Sequence, residues 1–160
     1  MALPADCTVA LLPIKPAYAN AIIEGRKRVE FRKTRFRRRV THVAIYASTP
    51  VQRIIGVFRI SDIENGTPDD LWRRHHSHGA ISSAAFDGYY SGVETGVAIG
   101  IADVVRLTFP VGLDVLRVKA PQSFRYLTAA ETARLRTAMK RSKRVEKAVF
   151  ATVTVPPASG

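Results

Sequence analysis

The octapeptide Gly25-Arg26-Lys27-Arg28-Val29-Glu30-Phe31-Arg32 begins where a short helix gives way to a strand. The preceding residues, 16–24, are predicted to be helical, because proline suits the first helical turn and Gly25 suits a left-handed C-cap. From Val29 to Lys33 apolar and charged residues alternate, which is the period of a strand with one buried face. The stretch therefore predicts a tight helix-to-strand corner.

This corner groups three ionisable side chains. Glu30 and Arg32 lie two residues apart on the predicted strand, so they project from the same face, and Lys27 belongs to the turn beside them. Arg32 offers a planar fork for a phosphate or a base edge, Lys27 offers a mobile positive charge, and Glu30 offers an acceptor or a base. The same spacing also occurs in an exposed strand with an ion pair, and the residues alone leave both interpretations open.

Turn signals separate the remaining elements. Further strands are predicted over 8–14, 41–48, 53–63 and 96–107, short strand or turn segments over 111–117 and 123–127, and a final strand over 148–155. Helices are predicted over 68–74, over 82–90, and from the capping box Thr128-Ala-Ala-Glu131 to about residue 143. Strands close in sequence mostly pair antiparallel, so we expect an α+β fold, a mostly antiparallel mixed β-barrel with helices covering its ends. A single domain is expected over residues 1–155, with a flexible tail over 156–160.

The charge of the chain is strongly positive and unevenly distributed. Its 25 Lys and Arg outnumber 13 Asp and Glu, which gives a net charge of +12 and a field that attracts polyanions. Nine cations lie between residues 26 and 39 and seven between 134 and 147. Nucleic acid is therefore the leading partner class, and Arg35, Arg37 and Arg38 are predicted to contact phosphate from a solvated loop. The basic helix over 134–147 fits contact with nucleic acid, contact with an acidic protein, and simple solvation equally well.

Composition excludes several other classes. The 160 residues are 46% hydrophobic and 24% charged, as in ordinary soluble domains. No stretch approaches the roughly 18 apolar residues of a membrane helix, and the N-terminus lacks a signal-peptide pattern, so no membrane association and a cytoplasmic location are expected. A lone Cys7 excludes an internal disulfide and a cysteine-based zinc site, and the histidines at 75, 76 and 78 have no carboxylate at ligand spacing. No metal or cofactor is predicted.

The corner resembles the signature of the ASCH (activating signal cointegrator homology) domain, G-x-K-x-x-E-x-R. Similar segments follow in the same order, at Ile14-Lys15-Pro16, Ile45-Tyr46-Ala47-Ser48, Phe86-Asp87-Gly88-Tyr89-Tyr90 and Pro121-Gln122-Ser123-Phe124-Arg125-Tyr126-Leu127. The resemblance spans about residues 10–127 and points to the ASCH proteins labelled predicted transcriptional regulators. That label usually accompanies a helix-turn-helix partner domain, for which 160 residues leave no room. The family implies a PUA-like β-barrel, a fold of RNA-binding and RNA-modifying proteins.

In ASCH domains the motif lines a cleft for a nucleotide or a modified base. The resemblance implies that the cleft of this chain contains Lys15, Lys27, Glu30, Arg32, Tyr46, Ser48 and Ser123. Tyr46 is predicted to stack on a base or to be a core tyrosine, with both interpretations open. Ser48 and Ser123 are candidate nucleophiles or hydrogen-bonding groups, and Lys27 would have to supply the base that a nucleophile needs. Arg28 is predicted to join Lys15 and the loop arginines in binding nucleic acid.

These observations predict a nucleic-acid-binding protein that prefers RNA to DNA, with its oligomeric state undefined. The alternative is an enzyme that uses the same cleft on RNA or on a modified nucleoside. Bacterial acetylcytidine amidohydrolases of this family carry threonine where this chain has Glu30, which disfavours deacetylation. Metal-independent RNA cleavage would use Lys27 or Glu30 as the base and Arg32 to stabilise the phosphorane. A third hypothesis is a protein-interaction module whose basic helix binds an acidic partner.

Overall fold

A computed structural model describes residues 1–153, with side chains to Lys147, and contains six strands and five helices over that range. The strands are β1 (Val9–Ile14), β2 (Val29–Arg32), β3 (His42–Ala47), β4 (Arg53–Gly66), β5 (Gly96–Val111) and β6 (Arg125–Tyr126). The helices are α1 (Pro16–Ile23), α2 (Pro68–Gly79), α3 (Ser83–Tyr90), α4 (Leu113–Leu116) and α5 (Ala129–Val153).

The strands form one sheet in the order β2-β5-β4-β3-β1-β6. β1 and β3 pair in parallel, and every other pair is antiparallel. The sheet curls into a half-barrel with β2 and β6 at its two edges. The predicted α+β class and mostly antiparallel pairing are confirmed.

The central strands separate two layers of core. Along β1, Val9 and Leu11 pack in a cluster with Tyr46 and Leu135. The alternate residues of β1 pack on the opposite face, in a cluster that includes Ile22 of α1. Every residue of β3 is buried, because both of its faces are covered.

A third cluster attaches β2 to the helices that follow β4. Phe31 lies edge-on to Phe86 of α3, with ring centroids 5.0 Å apart, and Leu71 of α2 packs in the same cluster. N-cap residues begin these helices, since the Thr67 and Ser82 side chains accept hydrogen bonds from the backbone N–H groups of Asp70 and Ala85. The corner strand is therefore enclosed between β5 and two helices.

Two segments differ from the prediction. The predicted final strand over 148–155 is wrong through residue 153, where α5 continues as helix. Its β-branched residues favour a strand locally, but the first proline after the helix begins is Pro156, so the helical hydrogen bonds continue. The segment 111–117 is not extended beyond Val111, because α4 follows and Arg117 ends it in a left-handed conformation.

The single domain over residues 1–155 stays a prediction, and the tail over 156–160 lies outside the described residues. Within the described part, no helix is both long and apolar enough to span a membrane.

Candidate functional site

The corner after α1 turns the chain inward. Gly25 adopts a left-handed conformation, with φ of 77°, which glycine reaches without the steric cost that a Cβ would add. The backbone N–H groups of Arg26 and Lys27 both donate to the carbonyl oxygen of Ala21, each at 3.0 Å. This capped turn fixes the point from which the Lys27 side chain leaves the backbone.

Lys27 is buried, with only 2% of the residue exposed. Its Nζ donates a 2.6 Å hydrogen bond to the backbone carbonyl of Gly79, at the end of α2. The amine also lies 5.1 Å from the centre of the Tyr18 ring and 5.5 Å from that of Phe31, within the range of cation–π attraction. Lys27 is therefore a positioned group and not the mobile charge expected from its place in a turn.

Glu30 connects the two cations of the motif. One of its carboxylate oxygens lies 3.5 Å from Lys27 Nζ and the other 3.5 Å from Arg32 Nη1. Only 8% of the Glu30 side chain is exposed, so water screens this carboxylate weakly. Glu30 and Arg32 lie on one face of β2, as their two-residue spacing predicts.

Arg32 holds three segments together. Its Nη1 donates to the carbonyl of Pro13 at 3.1 Å, and its Nη2 donates to the carbonyl of Ser123 at 2.7 Å. These bonds attach β2 to the end of β1 and to the loop before β6. Arg32 is consequently less available as an open fork for phosphate than the sequence alone indicates.

The environment of Lys27 shifts its protonation equilibrium. Burial disfavours the charged ammonium and lowers the pKa of Lys27 below 10.5, while the nearby Glu30 carboxylate partly offsets that effect. A lysine with a lowered pKa is deprotonated over a wider pH range, and its neutral amine is a general base.

These groups line a cleft of about 760 Å³ between β2, the start of α1, helix α3 and the loop before β6. Four cationic side chains and one carboxylate border it, namely Lys15, Lys27, Arg32, Lys33 and Glu30. Tyr18 and Tyr89 add aromatic walls, and Lys33 Nζ lies 4.8 Å from the centre of the Tyr89 ring. Burial also raises the pKa of Tyr89, so its hydroxyl stays protonated at neutral pH. The volume and the walls suit a ligand that combines a flat ring with negative charge.

The structure brings some of the predicted site residues together and leaves others apart. Lys15, Lys27, Glu30, Arg32 and Ser123 line the cleft. Tyr46 and Ser48 are not among the lining residues. Tyr46 is 6% exposed and packs in the core, on the other side of β3 from the Ile45 side chain. Ser48 is half-buried in the turn after β3, where its backbone N–H donates to the carbonyl of Ile14.

Arg28 points away from the cleft. Its Nη2 lies 3.2 Å from His78 Nδ1 at the end of α2. It borders a separate, smaller depression with Asp62 and His75. A nucleic acid bound at the cleft would therefore meet Arg28 only if it also reached this neighbouring surface.

Tyr126 contacts two of the loop arginines, Arg37 and Arg38, next to the cleft. The Tyr126 hydroxyl accepts hydrogen bonds from the backbone N–H groups of Arg37 and Arg38, and the Arg38 guanidinium lies 4.8 Å from the centre of the Tyr126 ring. Phe36 packs edge-on against Phe124, with ring centroids 4.9 Å apart. Residues 33–39, named the basic loop below, are exposed except for the half-buried Phe36, and the loop is thus anchored to the segment that contains Ser123.

Several residues of the site were not predicted from the sequence. The Gly79 carbonyl and the Phe31 and Tyr18 rings all contact the Lys27 amine. Tyr89 belonged to a motif that resembles the family but had no assigned role. Gly79 carried no signal at all, because its contribution is a backbone carbonyl placed by the packing of α2 on β2. Among the described residues, no three His, Cys, Asp or Glu side chains converge as metal ligands.

Comparison with known proteins identifies the family of this chain. The sequence model of the ASCH domain family matches residues 12–155 of this chain. The chain belongs to the ASCH domain family. Its sequence is 31% identical over 141 residues to an ASCH domain-containing ribonuclease of Zymomonas mobilis, an alignment that covers 81% of this chain and 91% of the relative. The crystal structure of ASCH from Zymomonas mobilis matches with a TM-score of 0.74 and 30% identity, over 79% of this chain and 92% of that one. A ribosomal protein uL22 of Ureaplasma parvum is 26% identical over 119 residues, which cover 73% of this chain and 38% of that protein.

The packing of this ASCH domain makes Gly79 a sensitive position. A Cβ at Gly79 would lie 2.6 Å from a carbon of the Phe31 ring, so Gly79→Ala must displace the ring or the carbonyl that binds Lys27. We expect a loss of about 1 to 3 kcal/mol in the free energy of unfolding, measured with urea. Gly88→Ala is the matched control, since Gly88 also lies in a helix and a Cβ there meets no atom within 4 Å. Equal stabilities of the two variants would contradict the assigned packing.

Proposed function

We propose that this ASCH domain binds RNA, with one nucleotide in the cleft and the adjoining strand along the basic loop. The observation that carries the proposal is the continuity between the two surfaces. Lys33 and Thr34, the first two residues of the basic loop, line the cleft, and the loop continues from them through the exposed Arg35, Arg37 and Arg38. A phosphodiester chain that leaves the cleft along this path passes five basic residues, those of the loop at positions 33, 35, 37, 38 and 39.

The relatives support RNA as the nucleic acid. The Zymomonas relative is named a ribonuclease, and at 31% identity over most of both chains its substrate class is the natural proposal here. Tyr18 and Tyr89 offer ring faces to an unstacked base, which single-stranded RNA presents more readily than duplex DNA. The grouping with ASCH proteins labelled predicted transcriptional regulators stays a prediction, and a preference for duplex DNA would favour it.

A binding titration tests the proposal. Labelled single-stranded RNA, structured RNA and duplex DNA are titrated at about 150 mM salt, where non-specific affinity is typically weaker than 1 μM. We expect the tightest binding to single-stranded RNA. The triple variant with Arg35, Arg37 and Arg38 replaced by alanine should bind all three nucleic acids more weakly. The slope of the logarithm of its binding constant against the logarithm of salt concentration should decrease by the amount that about three phosphate contacts contribute.

The matched control removes three positive charges elsewhere. Lys119, Lys140 and Lys147 are exposed and lie outside the cleft and the basic loop, so their triple alanine variant has the same net charge as the loop variant. It should bind RNA nearly as tightly as the parent. Equal losses in the two triple variants would show that total charge, and not the basic loop, determines affinity.

We propose RNA cleavage without a metal as the second candidate function, because Lys27 is a buried amine with a lowered pKa at the cleft wall. The ribose 2′ oxygen would attack phosphorus as the P–O5′ bond breaks. The 2′ proton would pass to the neutral Lys27 amine or to Glu30, and water would protonate the departing 5′ oxygen. Ser48 and Ser123 fit a nucleophile role less well, since neither hydroxyl is within hydrogen-bond distance of Lys27.

This reaction has a specific chemical signature. Incubation of labelled RNA with the protein in excess chelator should yield 2′,3′-cyclic phosphate ends. An RNA with a 2′-deoxy nucleotide at the scissile position should resist cleavage while still binding. Cleavage of that substrate, or loss of activity in chelator, would exclude the mechanism. Deacetylation of acetylcytidine is disfavoured, because Glu30 and not threonine faces Lys27.

A further inference from the structure

We infer that a second cleft of this protein binds an acidic amphipathic helix of a partner protein. This cleft, named the α5 groove, lies between the end of β5, helix α4 and helix α5 and has a volume of about 820 Å³. It shares no lining residue with the candidate RNA site. The inference is therefore independent of the proposed function.

The floor and walls of the α5 groove are mostly apolar. Phe109 and Val115 border it and are 53% and 48% exposed, respectively. Val111, Ala138 and Val145 continue the same surface. Large apolar side chains that remain exposed side by side commonly mark an interaction surface.

Among the described residues, the charged side chains that line this groove are all positive. They are Arg134, Arg141 and Arg144, and no described Asp or Glu lines the groove with them. The Arg134 guanidinium donates to the carbonyl of Leu116 at 3.1 Å, which braces α4 against α5. Arg141 and Arg144 are exposed, and within the described residues neither forms an ion pair. The groove thus combines an apolar floor with two cationic groups at its rim.

An amphipathic acidic helix fits this combination. Its apolar face would enter between Phe109 and Val115, and its carboxylates would reach Arg141 and Arg144. RNA fits less well, because the groove offers five aliphatic side chains and, among the described residues, a single aromatic ring, that of Phe109. Bases stack on aromatic rings, whereas aliphatic walls suit leucine-like side chains.

The test uses a designed peptide of about 15 residues, with leucines spaced to form one helical face and glutamates elsewhere. Fluorescence anisotropy at about 150 mM salt should give a Kd below about 100 μM. Arg141→Glu with Arg144→Glu should weaken binding at least about tenfold, and Phe109→Ala should weaken it as well. Lys140→Glu with Lys147→Glu is the control on the same helix, with the same change of charge outside the groove, and should leave the affinity within about twofold.

Three results would overturn the inference. One is equal binding of a scrambled peptide of the same composition, which would show that charge alone attracts the peptide. Another is the absence of peptide binding up to about 1 mM. The third is displacement of the peptide by single-stranded RNA, together with a loss of RNA affinity in the arginine double variant, which would assign the α5 groove to nucleic acid.

Discussion

Under the proposed cleavage mechanism, replacing Lys27 with methionine is expected to reduce RNA cleavage by about 10²- to 10⁴-fold, the range for loss of a general base. Methionine fills a similar volume in this buried position and carries no proton-accepting group. The Gly79 carbonyl loses its donor, which costs about 1 to 3 kcal/mol of stability, so the variant must be assayed below its unfolding transition. The rate of product formation at saturating RNA is the measurement, and Lys119→Met, at an exposed position outside the cleft, is the control.

The Lys27→Arg variant distinguishes a role of Lys27 as proton acceptor from a role as positive charge. Arginine keeps the positive charge but does not lose its proton in the accessible pH range. The pKa of Lys27 is lowered from 10.5, so the parent rate should rise with pH and level off below that value, once the amine is neutral. The Lys27→Arg variant should cleave RNA much more slowly than the parent, and its rate should not rise with pH in this way. If Lys27→Arg cleaves RNA as fast as the parent, Lys27 acts only through its charge and the base must be Glu30.

Glu30→Gln is expected to cost about 3 kcal/mol of folding free energy at neutral pH. The substitution leaves Lys27 and Arg32 near one another without the carboxylate that lies 3.5 Å from each. It also removes the group that opposes the burial effect, so the pKa of Lys27 should fall further. Urea unfolding at several pH values from about 7 up to about 10 measures both consequences.

The sign of the pH dependence follows from proton binding. The unfolded chain holds the Lys27 proton up to about 10.5, while the folded chain releases it at lower pH. Between the two pKa values the unfolded state binds more protons, so stability rises with pH in that interval, and the interval is wider in Glu30→Gln. The penalty of the variant should therefore shrink as pH increases.

An exposed pair provides the comparison for Glu30→Gln. Glu24 pairs with Arg26 and has 54% of its side chain exposed, so Glu24→Gln should change stability by less than about 1 kcal/mol at any pH. If Glu30→Gln behaves in the same way as Glu24→Gln, the buried ion cluster contributes nothing specific to the fold.

Local signals account for most of the secondary structure that the sequence predicts. The capping box forms as expected, with the backbone N–H of Glu131 donating to Thr128 Oγ1 and that of Thr128 donating to a Glu131 carboxylate oxygen. Gly25 ends its helix in the left-handed conformation. These features depend on residues within one helical turn, so the sequence contains all the information they need.

Other features depend on distant neighbours or on competing local preferences. Residues 148–153 have strand-forming side chains, yet they extend a helix that begins almost twenty residues earlier. Ser48 lies close to the strands of the cleft without lining it. Tyr46 packs in the core because alternation along β3 gives it the opposite face from Ile45, and only the curl of the sheet decides which face meets the cleft.

The sequence by itself determined the family motif, the corner and the shared face of Glu30 and Arg32, because two-residue spacing on a strand leaves no other arrangement. Tertiary structure alone decided the state of Lys27. Its amine is buried and bonded to the carbonyl of Gly79, 52 residues further along the chain. That contact forms only when α2 packs on β2, and the burial that accompanies it lowers the pKa of Lys27 below that of an ordinary surface lysine.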